Sequence, residues 1–353
     1  MGNRHGRTPR HRSGTASLTL EDVARAAGVS TATVSRCLNT PERVVEQTRS
    51  RVLQVVNDLG YAPNFGARAL AAKRTNTIGA IIPTMENAIF ARGLQAFQEE
   101  LAVHGLTLLV ASSLYRPDLE ADQIRTLLAR GADALLLIGF ERPANVYDFL
   151  EKRGVPYVVS WAYRADGDVL SVGFDNRQAM KALAERVVSA GHRNIAVVSA
   201  VREQNDRARD RVSGVLDAAT DAGLEAGRVR IYETPYSIEN GAAAMKELMA
   251  MRPRPTAVMC SNDVLAVGAI GMAKSLGLTV PDDVSVTGFD DIELARITEP
   301  SLTTVHVPHR RMGREAARLI AGLLNGDTDA RSLALDTRLV LRRSLGSCSD
   351  PGA

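Results

Sequence analysis

Nine short apolar runs set the tightest limit on what this chain can fold into: TIGAIIP, LTLLVASS, ADALLLIGF, PYVVSW, VLSVGFD, NIAVVSA, VRIYE, TAVMCSND and VSVTGFD, all between residues 77 and 290. Most are unbroken rather than alternating, so they read as strands covered on both faces. Helical stretches of roughly ten to fifteen residues separate them, the pattern of parallel strands with crossover helices. Nine strands suffice for two sheets, so the body reads as α/β with two parallel-sheet subdomains. With 353 residues, 45% of them hydrophobic, the chain can fill two or three cores. No apolar run approaches the roughly 18 residues a membrane helix needs.

The charge is unevenly placed. Residues 1–76 hold twelve Lys and Arg against five Asp and Glu, a net of +7, so the other 277 residues carry −4 of the chain's total of +3. A basic amino-terminal part on a mildly acidic body points to a polyanion partner. Residues 1–17 read as a flexible basic tail, with no apolar core of a secretion signal behind it. Cys37, Cys260 and Cys348 are odd in number and far apart, which fits a reducing cytoplasm rather than disulfides or a zinc site.

TLEDVARAAGVSTATVSRCLN, residues 19–39, reads as two short helices around a tight turn. Thr19 caps the first, Asp22 completes a partial capping box, Gly28 turns the corner and Ser30 caps the second. Ala24, Gly28 and Val34 have the spacing of a helix-turn-helix, so residues 18–63 are expected to form an all-α headpiece. Val34 and Leu38 point inward, while Thr31, Ala32, Ser35, Arg36 and Asn39 share the outward face. With Thr19, Ser30 and Thr33 these form the candidate DNA-binding set. Arg36 has the fork to take guanine O6 and N7 together, and Ala32 suits a thymine methyl. A third helix, residues 46–59, is expected to bury Val45, Val52, Val55, Val56 and Leu59, leaving Arg49 and Arg51 for phosphates.

Ligands of open α/β sheets bind beyond the carboxyl ends of the strands. Phe90, Ser112, Phe140, Trp161, Asp175, Tyr236, Asn262 and Asp290 stand at such ends, and their mix of rings with carboxylate and amide groups suits a polyhydroxylated ligand.

LEDVARAAGVSTATVSRCLN followed by TRSRVLQVVNDLGYAPNFGARALAAKRTNTIGAIIP closely resembles the lactose-repressor (LacI/GalR) family of bacterial transcription regulators. The resemblance implies a sequence-specific DNA-binding repressor controlled by a small sugar or sugar derivative. It matches Thr31, Ala32 and Arg36 to major-groove readers. Residues 64–76 become a linker with a hinge helix that forms on operator DNA, where Asn64, Ala67, Leu70 and Ala71 make contacts and Leu70 wedges into the minor groove. Gly66 costs that helix roughly 1 kcal/mol relative to alanine. The body, 77–345, is implied to be periplasmic-binding-protein-like, with an N-subdomain of 77–174 and 305–331, a C-subdomain of 175–304 and 332–345, and a tail at 346–353. Arg211, Asn262, Asp290 and Asp175 match effector-contacting positions, and Trp161 and Tyr236 match aromatic ones.

Helices near 89–104 and 310–324 are expected to supply the dimer face, and the ending LGSCSDPGA is too short and polar for the leucine-heptad tail by which some members of the family tetramerise, so a homodimer is expected. The operator should then be an approximate palindrome. No GxxxxGK[ST], HExxH, GxSxG or CxxC motif is present, and a proline separates His306 from His309, so no enzyme, cofactor or metal is expected. The alternatives are a periplasmic-type sugar-binding protein, or a regulator answering to a purine or a phosphoprotein corepressor. Asn205 and Ile89 stand where the purine-responsive branch carries arginine and tyrosine, which disfavours a purine.

Overall fold

Thr19 starts the first helix as its sequence promised. Its hydroxyl accepts from the Asp22 N–H, and the Asp22 carboxylate accepts from the Thr19 N–H at 3.0 Å, a complete capping box at the head of α1 (Leu20–Ala27). Gly28, at φ 64°, supplies the left-handed turn. Ser30 caps α2 (Thr31–Asn39), and a 3₁₀ turn over Pro41–Arg43 leads to α3 (Glu46–Leu59). Val23, Ala24, Ala27, Val34, Cys37, Val52 and Tyr61 form the core. Two expectations change here. Cys37 is buried in α2 where Leu38 is only partly so, and the α3 stripe reduces to Val52 with Val55 and Val56 half-buried. Val45 is the α3 cap and is 75% exposed, and Leu59, in the last turn, is exposed as well.

The computed structural model describes residues 18–62 and 74–348, apart from Asn87, Asp166 and Ala226. They fall into two compact units that meet between Thr75 and Asn76. The hinge candidates Asn64, Gly66, Ala67, Leu70 and Ala71 lie outside the described residues.

The body alternates strand and helix: β1 (Thr77–Ile82), α4 (Ala88–Val103), β2 (Thr107–Ser112), α5 (Pro117–Ala129), β3 (Ala134–Ile138), α6 (Ala144–Arg153), β4 (Tyr157–Ser160) and β5 (Ser171–Gly173). A second series follows: α7 (Asn176–Ser189), β6 (Ile195–Ser199), α8 (Asp206–Asp221), β7 (Val229–Glu233), α9 (Ile238–Ala250), β8 (Ala257–Cys260), α10 (Asp263–Ser275) and β9 (Ser285–Thr287). The chain ends with α11 (Leu294–Ile297), β10 (Thr304–His306), α12 (His309–Leu324), β11 (Leu333–Ala334) and β12 (Arg338–Val340). All nine apolar runs became strands. β1, β3, β6 and β8 are buried along their whole length, as unbroken apolar runs require.

The first sheet has the order β11-β5-β4-β3-β1-β2 and the second β7-β6-β8-β9, every pairing parallel. Both reverse direction between their first strand and their third, so each has a switch point between β1 and β3 or between β6 and β8. Ligand-binding crevices open at such points, outside the carboxyl ends of the strands.

The subdomain boundaries need two corrections. Leu333 and Ala334 pair with β5, so residues 332–334 belong to the first subdomain, and the chain crosses back only before β12, which pairs antiparallel with β10. Residues 346–348 are no tail: the Gly346 N–H donates to Ser285 Oγ, and the Cys348 N–H donates to the Ala190 carbonyl. Among the described residues no helix is long and apolar enough to cross a membrane.

Candidate nucleic-acid interface and ligand cleft

On α2 the side chains of Thr31, Ala32, Arg36 and Asn39 are exposed, while Val34 and Cys37 anchor the opposite face. The hydroxyls divide by role. Ser30 Oγ accepts from the Thr33 N–H and sits 2.9 Å from Thr33 Oγ1, and Asn39 Nδ2 donates to Ser35 Oγ at 3.2 Å. Thr19 is likewise engaged in its capping box. That leaves Thr31, Ala32 and Arg36 as the face whose side chains are not tied into the helix's own caps. Arg49, on α3, pairs with Glu46 one turn back.

In the body, helix α8 carries Arg211 into the interior. Its Nε donates to Asn176 Oδ1 at 2.9 Å and its Nη1 to the Ser261 carbonyl at 2.7 Å, while the guanidinium lies 3.9 Å over the Phe289 ring. Nη2 is 3.8 Å from Asp290 Oδ1. Asp290 is buried at φ 107°, and burial pushes its carboxyl up to about 7 even though Arg211 pulls the other way. His309, at the head of α12, stands 3.8 Å from the same oxygen and stacks on Trp161. Burial, reinforced by the Arg211 charge, holds its imidazole down to about 3.

One cleft gathers Ile89, Phe90, Trp161, Asn205, Arg211, Tyr236, Asn262 and Asp290, with Tyr115 and Arg207. Six of the nine predicted effector residues are among them. Trp161 packs its ring 5.4 Å from Phe90 and lies against Gly93 of α4, where a Cβ would come within 2.5 Å of the indole. Three buried atoms on this cleft have no hydrogen-bond partner among the described residues: Trp161 Nε1, Asn262 Nδ2 and Asp290 Oδ1. Asn262 spends its oxygen capping α10, accepting from the Leu265 N–H at 2.9 Å, which frees its amino group for the cleft.

The other three predicted residues are not in this lining. Asp175 is the exposed cap of α7, accepting from the Gln178 N–H; its neighbour Asn176 points inward instead and holds Arg211. Ser112 Oγ donates to the Pro83 carbonyl and ties the ends of β1 and β2 together. Phe140 stacks on Arg164, and its N–H donates to Asp206 Oδ2 at 2.6 Å. That bond joins the two subdomains, as does Arg207 Nη1, which donates to the Ile138 carbonyl at 3.1 Å, and Arg209, paired with Glu141 at 2.7 Å.

A ligand cleft between two Rossmann-like halves, with a helix-turn-helix unit ahead of it, defines a ligand-responsive DNA-binding regulator. Residues 19–64 match the family described as bacterial regulatory proteins, lacI family, and residues 184–345 match the periplasmic binding protein-like domain. The chain is 35% identical over 330 residues to the HTH-type transcriptional repressor PurR of Proteus mirabilis, covering 93% of this chain and 96% of the relative. It superposes on the lac repressor dimer bound to operator and the anti-inducer ONPF with a TM-score of 0.82 at 26% identity, covering 93% of this chain and 99% of that one. On the transcriptional regulator CelR in complex with cellobiose the TM-score is 0.68 at 30% identity, covering 93% and 99%. The protein belongs to the LacI family of DNA-binding transcriptional regulators. Such regulators bind operator DNA and effector ligands; of these relatives, PurR and the lac repressor are repressors and CelR is a transcriptional regulator.

Proposed function

We propose that this regulator is a homodimeric repressor whose cleft binds a neutral polyhydroxylated effector, a sugar, and thereby sets its affinity for a palindromic operator. The observation that carries the sugar reading is the set of three buried, unpartnered polar atoms on one cleft. Trp161 Nε1 and Asn262 Nδ2 donate and Asp290 Oδ1 accepts, and a hydroxyl, being both donor and acceptor, answers each of them. Phe90 and Trp161 offer faces for the C–H side of a ring. The two guanidiniums on the cleft are already engaged by protein groups, Arg207 by Asp206 and Arg211 by Asn176 and the Ser261 carbonyl. The regulator CelR, in its complex with cellobiose, supports the same class.

In the headpiece, Arg36 takes a guanine, and Thr31 and Ala32 tune the neighbouring bases. In the body, α4 and α12 pack together through Gly93 and Gly313 and the ion pairs Arg310–Glu99 and Arg318–Glu100, and their outer faces meet the partner copy. Operator and effector must change each other's affinity by the same factor.

The test is a thermal-shift screen of neutral sugars, sugar phosphates and purines, followed by operator titrations with and without each hit. A ligand at 100 times its Kd adds about 2.7 kcal/mol to stability. A neutral sugar that raises Tm and shifts operator affinity supports the reading. Stabilisation by a purine base alone would transfer the cleft to a planar heterocycle lying against Phe90 and Trp161.

A further inference from the structure

We infer that the effector carries two linked sugar rings, and that Tyr115 and Tyr236 form a second subsite for the outer ring; this rests on the sugar reading of the cleft. The inner cleft does not end at its polar atoms. It shares Tyr115 and Tyr236 with an open mouth, lined further by Thr84, Glu86, Leu114, Pro235 and Val264. The two tyrosines come from opposite subdomains, Tyr115 from the loop after β2 and Tyr236 from the loop after β7. Their rings meet at 6.3 Å, tilted by 58°, as the wall common to both spaces.

The chemistry changes from one space to the other. The inner cleft presents buried groups that fix a ring's hydroxyls. The mouth presents partly exposed rings and aliphatic surface, with the Glu86 carboxylate and the Thr84 hydroxyl as its polar members. Aromatic faces beside a single carboxylate suit a sugar ring bound mainly through its C–H face, with one diol held at the edge.

Leu114 and Tyr115 both sit at positive φ, 52° and 58°, and are 61% and 41% exposed. Two successive bulky side chains in the left-handed region are uncommon, and apolar side chains exposed beside a cleft mark contact surface. Leu114 and Tyr115 therefore stand where a ligand reaching out of the cleft must pass.

Isothermal titration of the full chain with glucose, galactose and mannose, and with cellobiose, maltose, lactose and melibiose, tests this. At least one disaccharide is expected to bind about five- to tenfold more tightly than its component monosaccharides, the gain of one ring–ring contact. Tyr115→Ala should erase that ratio, and Glu86→Ala, at the mouth alone, should reduce it about threefold or more. Circular dichroism melts check that both variants fold. If monosaccharides bind as tightly as every disaccharide, or if both folded variants keep the parent ratio, the two-ring inference falls and the sugar reading survives. If neither size of sugar binds, both fall.

Discussion

The headpiece and the body solve recognition in opposite ways. In the headpiece, the caps satisfy their own hydroxyls, and the residues left over, Thr31, Ala32 and Arg36, stand on the outside of a short helix. In the body the candidate residues are inside, and several keep polar atoms without a protein partner. Short side chains on a rigid exposed face let a helix lie close to a large partner such as a duplex. A buried cleft with unsatisfied groups selects a small one, because each unmatched hydroxyl leaves a desolvated atom unpaired. The contrast predicts that damage to the body's site costs stability as well as binding, whereas damage to the headpiece's face costs binding alone.

Arg211→Leu should break this contrast most severely if it is wrong. The substitution strips the donors from Asn176 Oδ1 and the Ser261 carbonyl and leaves Asp290 without its cation. Breaking a buried charged pair costs about 3 to 5 kcal/mol. Urea unfolding should show that loss in the body transition, together with loss of the effector response. A body as stable as the parent would mean that Arg211 serves only the ligand.

Asp290 and His309 give a second test, in pH. The Asp290 carboxyl is held up to about 7 in the folded body, so the unfolded chain releases its proton first, and stability falls as pH rises from the ordinary carboxylate range to about 7. His309 is held down to about 3, so the unfolded chain takes up its proton first, and stability falls as pH drops from the ordinary imidazole range toward that value. In the parent the two slopes oppose each other. Asp290→Asn removes only the first, so the Tm of the variant relative to the parent should climb between about pH 5 and about pH 7. A pH-independent difference would show that Asp290 is not held in its neutral form. The same variant should lose the effector response and keep operator binding.

Much of this contrast was legible in the sequence, for a local reason. Unbroken apolar runs and capping residues act within a few positions, so the nine strands, the Thr19 and Ser30 caps and the Gly28 corner could be read directly. Asn262, Asp290, Trp161, Tyr236 and Phe90 were legible because strand ends in α/β sheets converge, whereas Arg211, inside α8, was legible only through the family resemblance. What failed depended on tertiary rotation. Asp175 and Asn176 are adjacent, and only the docking of α7 on α8 decides that the asparagine faces Arg211 while the aspartate caps. Tyr115 gave no local sign, since a leucine–tyrosine pair at positive φ carries neither glycine nor asparagine to announce the turn. β10 and β12 are three residues each, too short for a period to show.

The smaller effects lie in the headpiece and sharpen the contrast from its other side. Arg36→Ala should relax preference at one guanine per half-site by about 1 to 3 kcal/mol and leave headpiece stability unchanged. Equal weakening on every sequence would make Arg36 a phosphate contact instead. Thr19 stood in the same candidate set, yet its hydroxyl is engaged with Asp22, donating to Oδ2 at 2.7 Å and accepting from the N–H at 3.3 Å. Thr19→Ala should therefore cost about 1 kcal/mol of headpiece stability, a capping loss, and lower affinity for operator and unrelated DNA by the same factor. Thr19→Ser, which retains the hydroxyl, should restore both. The measurement is headpiece unfolding alongside parallel titrations on operator and scrambled duplex. A change in their affinity ratio with the unfolding transition unmoved would place Thr19 on the DNA-reading face and erase its distinction from Arg36.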